Sequence, residues 1–235
     1  MVQSGFYAWS AVALAMIFPL LKFSERRKHL FLAYAVFLSV WLLYIVVIAR
    51  SGVLADFSLP PRVPLLVVIP AIAAAIVITG RSNFKEVLRQ TPLHWPVYMQ
   101  SFRIMVELLI YGAFVDGVFP ERVTFKGLNY DILSGLSAPV VAYLYQRGSI
   151  SGMTLLVWNV IAMVILGATV YSFASTYYFS DYLATSGSAD FVRLPYLLLA
   201  AVLLPVAVFL HVFSLRQLKL RQGNVRTIGS KAPNR

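Results

Sequence analysis

The chain has 235 residues, 60% of them hydrophobic and 12% charged, and a formal net charge of +11. A soluble domain carries about 25% charged residues; at a mean hydropathy of +0.77 this chain would leave large apolar patches in water, which excludes an ordinary soluble fold. There is no cysteine, which excludes disulfides and thiol chemistry, and the basic residues lie in loops where anionic lipid headgroups, rather than nucleic acid, are the expected partner.

A membrane-spanning helix needs about 20 mostly apolar residues, and seven segments read as candidates. The first, 5–21, has no Lys or Arg in the nine residues from Met1 to Trp9 and a basic cluster after it, so it reads as a span and not as a cleavable signal. The second and third are 29–49 and 63–79, and the fourth is 96–114. The fifth, 131–146, is short and contains Gly135 and Pro139; the sixth is 152–173 and the seventh 195–215. The expected fold is an all-α, polytopic bundle of seven transmembrane helices over 1–220, followed by a basic, unstructured tail over 221–235.

Basic residues set the orientation of such a bundle. Fourteen of them, from Lys22 and Arg26 through Arg81, Lys85 and Arg147 to the tail, fall on one side, and five (Arg50, Arg62, Arg122, Lys126, Arg193) on the other. The N-terminus is therefore expected outside and the C-terminus in the cytoplasm. The last outer loop carries Tyr177, Tyr178, Phe179 and Tyr182, which suit an interfacial aromatic belt or a cap over an opening on that face.

Segments three and seven share a spacing. Pro70 and Pro205 are each followed by a hydroxyl residue nine positions on (Thr79, Ser214) and an arginine eleven positions on (Arg81, Arg216). Segments one to three and five to seven then read as parallel copies around a linking fourth helix. That three-plus-one-plus-three plan resembles SWEET-type sugar transporters, whose sequence signature is absent.

The fourth segment carries the chemistry. At about 100° per residue, Gln100, Arg103, Glu107 and Tyr111 form one polar stripe. By helical rise, Arg103 lies about 10 Å and Glu107 about 16 Å in from Pro96, close to mid-bilayer, where an unpaired charge is costly. Such groups face protein or water; Arg103, four residues before Glu107, is its expected partner. Asn159 on the sixth segment and His211, followed by Ser214, on the seventh lie at similar depth, and together these residues make a candidate substrate-binding or proton-coupling site. Outside it, Gly127 reads as a positive-φ turn, and Asn129 and Asp131 read as helix caps or as an outer gate. No Gly-rich phosphate loop, HExxH or GxSxG sequence occurs; His29, His94 and His211 lack metal-ligand spacing, and no cofactor is expected.

The run from Gln100 through Arg103 to Glu107, then Pro120, the stretch 124–135 and Trp158–Asn159 resemble a group of uncharacterised bacterial seven-helix integral membrane proteins. The resemblance covers the C-terminal half and implies a multi-pass protein of the bacterial inner membrane, with no activity to transfer. From the residues themselves the expectation is a transporter of a small polar or anionic solute, proton-coupled through Glu107. The rivals are a membrane-embedded enzyme acting on a lipid or isoprenoid and a non-catalytic sensing or interaction subunit.

Overall fold

The computed structural model describes residues 1–185 and 187–229, with side chains in the last helix described through Arg221. Within these the regular structure is entirely helical. Helix α1 spans Val2–Leu21 and α2 Arg27–Arg50; α3 (Pro64–Gly80) bends by 71° into α4 (Ser82–Gln90). Helices α5 (His94–Met99) and α6 (Phe102–Val115) follow, then α7 (Asp131–Gln146) and α8 (Gly152–Tyr178). Helix α9 starts at Leu199 and keeps helical backbone to Gly229, so helix covers the first part of the segment read as an unstructured tail; 230–235 lie outside the described residues.

Helices α1, α2, α8 and α9 are long and apolar enough to cross a membrane, and the bent α3–α4 pair makes a fifth when taken as one span. By the length and apolar character of these helices, the chain reads as a helical membrane protein. Among the described residues these make four or five of the seven spans expected from the sequence. The fourth segment is broken at Gln100 and Ser101, where i→i−3 bonds (Gln100 N–H to Val97 O, 3.0 Å; Ile104 N–H to Ser101 O, 3.1 Å) tighten the chain into a 3₁₀-like turn between α5 and α6. Helix α7 has 16 residues, about 24 Å of rise against a hydrocarbon core of ~30 Å. The connection before it folds back into the bundle: Phe119, Val123, Thr124 and Asn129 are all at most 2% exposed. The basic loop between the third and fourth segments is likewise a helix. Helix α4 turns away from α3, buries Phe84, Val87 and Leu88 and leaves Arg81, Lys85 and Arg89 exposed, the pattern of a helix lying in the interface.

Helix α9 is the axis of the bundle, with 61% of its span buried, whereas only 11% of α2 is. Small residues allow close approach at one crossing: a Cβ on Gly135 of α7 would lie 2.9 Å from the Ile104 backbone nitrogen on α6, too close for any side chain. Helix α2 is held differently. Two of its anchors are aromatic donors aimed at proline breaks. Helices α3 and α9 each open with a π turn, Pro64–Val68 and Leu199–Leu203, followed two residues on by Pro70 and Pro205. A proline brings no N–H to the carbonyl four residues back, here Leu66 and Ala201. Tyr44 donates its hydroxyl to Leu66 O at 2.8 Å, and Trp41 donates Nε1–H to Ala201 O at 2.9 Å. Nearer the start of α2, Tyr34 donates to Leu14 O at 3.0 Å, beside the break in α1 before Pro19.

Replacing Trp41 with Phe keeps most of the ring and removes the donor. We expect a loss of about 1–3 kcal/mol, the cost of orphaning a carbonyl away from water, measured by thermal unfolding in detergent. In a Pro205→Ala background, where residue 205 regains an N–H, the same replacement should cost less. An equal cost in both backgrounds would disconnect Trp41 from the proline break.

Candidate functional site

The break at Gln100 does not scatter the polar stripe. In a 3₁₀ turn residues three apart eclipse one another, so Gln100 and Arg103 still share a face. Gln100 donates Nε2–H to Ala207 O on α9 at 3.1 Å; its Oε1 has no hydrogen-bond partner among the described residues. Arg103 is only 1% exposed. Its guanidinium does not take Glu107, the partner expected from sequence. It forks onto Asp131, with Nε–H donating to Oδ2 at 2.6 Å and Nη2 paired with Oδ1. The in-folded connection starts α7 deep in the bundle and brings a carboxylate in front of Arg103 with bidentate geometry, a stronger arrangement than the single-turn pair.

Asp131 accordingly does not cap α7; Tyr130 holds that position and makes no side-chain bond. The local turn belongs to Asn129, whose Oδ1 accepts the Asp131 N–H at 3.0 Å. Asn129 is fully buried and ties three elements together. Its Nδ2 donates to Glu107 Oε2 at 2.7 Å and to Val123 O at 3.1 Å, and its Oδ1 also accepts the Thr169 hydroxyl of α8 at 2.7 Å. Gly127, expected at positive φ, is not there. Its value is space: a Cβ would stand 2.6 Å from Arg122 Cα and carbonyl oxygen.

The other arm of the network runs along α8 and α9. Arg103 Nη1 lies 2.9 Å from His211 Nε2, and His211 Nδ1 lies 3.0 Å from Asn159 Oδ1. A guanidinium only donates, so Nε2 carries the lone pair and Nδ1 the hydrogen: His211 is the neutral Nδ1–H tautomer, donating to Asn159. Asn159 passes the direction on, donating to Ser214 Oγ at 3.1 Å and Leu155 O at 2.9 Å. Donor and acceptor therefore alternate without conflict from Asp131 through Arg103, His211 and Asn159 to Ser214. The Trp158 ring flanks His211 at 5.8 Å and anchors its own Nε1–H on Ser137 Oγ at 3.0 Å.

Six of the eight residues singled out in the sequence thus meet in one buried hydrogen-bonded network: Arg103, Glu107, Asn129, Asp131, Asn159 and His211. Gln100 is buried beside them, but among the described residues its side chain bonds only the Ala207 carbonyl. Tyr111 lies outside the network. It sits half-buried beside the Phe125 ring, with the Lys126 ammonium 4.8 Å above its own, and its hydroxyl helps push the pKa of that loop lysine up. Thr169 was not singled out. A threonine inside an apolar helix carries little signal, because its hydroxyl also bonds its own helix, here Ile165 O at 3.2 Å.

A cavity of about 80 Å³ adjoins the network, room for roughly five waters. Arg103, Glu107, Asp131 and Thr169 supply its polar lining; Val68, Phe102, Phe173 and Leu203 are among its apolar residues. The aromatic stretch from Tyr177 to Tyr182 helps close it. Tyr178 lines the cavity and accepts the Val63 N–H at 3.1 Å, Tyr177 is buried against Phe191, and Phe179 stays exposed. The site holds one guanidinium and two carboxyl groups. Asp131 neutralises it, which leaves Glu107 as a surplus carboxyl whose described hydrogen bond comes from the neutral amide of Asn129.

No protein-family model, curated protein or solved structure matches the chain.

Proposed function

We propose that the protein is a small proton-coupled transporter of a polar or anionic solute, with the Arg103–Asp131–Glu107 cluster as its site. The observation that carries this reading is the surplus carboxyl. A cluster of one cation and two carboxyls within an apolar bundle is neutral when Glu107 holds a proton, or when a cationic or protonated guest takes its place. Loading and unloading Glu107 then changes the charge facing the cavity by one unit. Arg103, pinned by Asp131 and His211, is preorganised to meet an anionic group.

The proposed setting is the bacterial inner membrane, with seven membrane-embedded segments, the N-terminus outside and the fourteen-to-five bias of basic residues towards the cytoplasm. The parallel three-plus-one-plus-three plan belongs to the same proposal. It is supported by the π turn and proline at matching positions of α3 and α9, helices that pack together through the bundle centre.

The test is proton flux into proteoliposomes, read with a trapped pH dye while small carboxylates, inorganic phosphate and neutral sugars are offered in turn. Wild-type protein should move protons with at least one of these. Glu107→Gln, which keeps an acceptor for Asn129, should elute as folded protein and lose that flux at least tenfold, as expected for removal of an acid–base group. Equal flux in the variant, or no solute-dependent flux in the wild type, would overturn the proposal.

A further inference from the structure

A second and larger space lies on the other side of α9. It is a cleft of about 810 Å³ between α1, α2, α3 and α9, within the range of about 300–1,000 Å³ typical of ligand sites. The two spaces share no lining residue: the small cavity takes Leu199, Ala200, Leu203, Leu204 and Ala207 of α9, and the cleft takes Ala201, Val202, Pro205, Val206 and Phe209. The cleft is chemically polarised. Arg26 and His29 at the start of α2 and Arg81 at the end of α3 line one end of it. Further along, the lining is apolar, with Ala71, Ala74 and Ala75 of α3, Tyr34, Phe37 and Trp41 of α2, and leucines of α1 and α2. The Trp41–Ala201 hydrogen bond spans the cleft at its deep end.

Length fixes the occupant. From His29 to Trp41 an α-helix rises about 18 Å, close to the ~15 Å hydrocarbon depth of a single leaflet. Cations at the headgroup level, an apolar trough one leaflet deep and a stop at mid-membrane are the dimensions of one phospholipid. We infer that the cleft between α1, α2, α3 and α9 holds one anionic phospholipid of the leaflet on the basic side, its phosphate against Arg26 and Arg81 and an acyl chain along the alanines of α3. None of Arg103, Glu107, Asp131 or His211 lines it, so it is separate from the buried polar network. The lipid would fill the gap that leaves α2 so sparsely packed. This inference does not depend on the transport reading, and its test uses no transport assay.

Native mass spectrometry of the full chain in mild detergent, offered equal phosphatidylglycerol and phosphatidylcholine, is the measurement. The wild type should retain one phosphatidylglycerol in preference. Arg26→Gln and Arg81→Gln, both at exposed positions, should each lower the preference about fivefold, the share of one basic side chain at an anionic headgroup. Ala74→Phe, which fills the half-buried wall without altering charge, should lower retention of both lipids. Excess glycerol 3-phosphate should not displace the lipid; displacement would mean a phosphate site without a chain site and would overturn the assignment. So would an absence of headgroup preference in the wild type, or an unchanged preference in the Arg26→Gln/Arg81→Gln double variant.

Discussion

Replacing Arg103 with Met is expected to be among the most damaging single changes in the chain, costing about 3–5 kcal/mol, the range seen when one partner of a buried ion pair is removed. Asp131 would lose both of its guanidinium contacts and His211 Nε2 its donor, and two carboxyls would remain within the bundle with no cation. The expected result is aggregated or proteolysed protein after extraction, read as the loss of the monodisperse peak after mild heating. Arg103→Met combined with Asp131→Leu should recover a large part of the folded fraction, because the pair is removed as a unit and apolar replacements of buried pairs are well tolerated. The recovered protein should remain inactive in the proton-flux assay. If the double variant were as unstable as Arg103→Met alone, the damage would come from lost packing and the pairing with Asp131 would not be its cause.

The second large effect is expected at Asn129. One amide serves Glu107, Val123, Thr169 and the Asp131 backbone. Asn129→Ala orphans the carboxyl of Glu107, the Val123 carbonyl and the Asp131 N–H, while Thr169 keeps its bond to Ile165 O. Each buried group left without a partner costs about 1–3 kcal/mol, so the variant should lose about 3 kcal/mol or more in detergent unfolding. Thr169→Val, which removes one of the four contacts, should lose about 1 kcal/mol. Equal losses in the two variants would mean that Asn129 does not organise the network.

The site was legible where it depended on spacing along one helix. Gln100, Arg103 and Glu107 stand out because polar side chains at helical spacing within an apolar run have to face inward. Asn159 and His211 were placed beside them by depth alone, and they lie there. The partnership of Arg103 was not legible. It depends on the connection before α7 turning inward, and nothing in the hydropathy of 116–130 encodes the direction a loop takes. The expected Arg103–Glu107 pair was chemically reasonable and lost to a carboxylate with two points of attachment. The same limit holds for the fold. Pro70 and Pro205 gave away matched positions in α3 and α9, but not the π turns before them, and the 71° turn at Arg81 replaces what composition reads as a basic loop.

The π turn at Leu199–Leu203 has one more consequence. Such a turn holds an extra residue within a single revolution, so every side chain after it is out of phase with a regular screw by roughly the 100° of one residue. His211 lies two turns beyond that insertion, and its azimuth towards Arg103 is set there. The irregularity near one end of α9 thus acts as an indexing step that decides which way the histidine looks, two turns before the histidine itself.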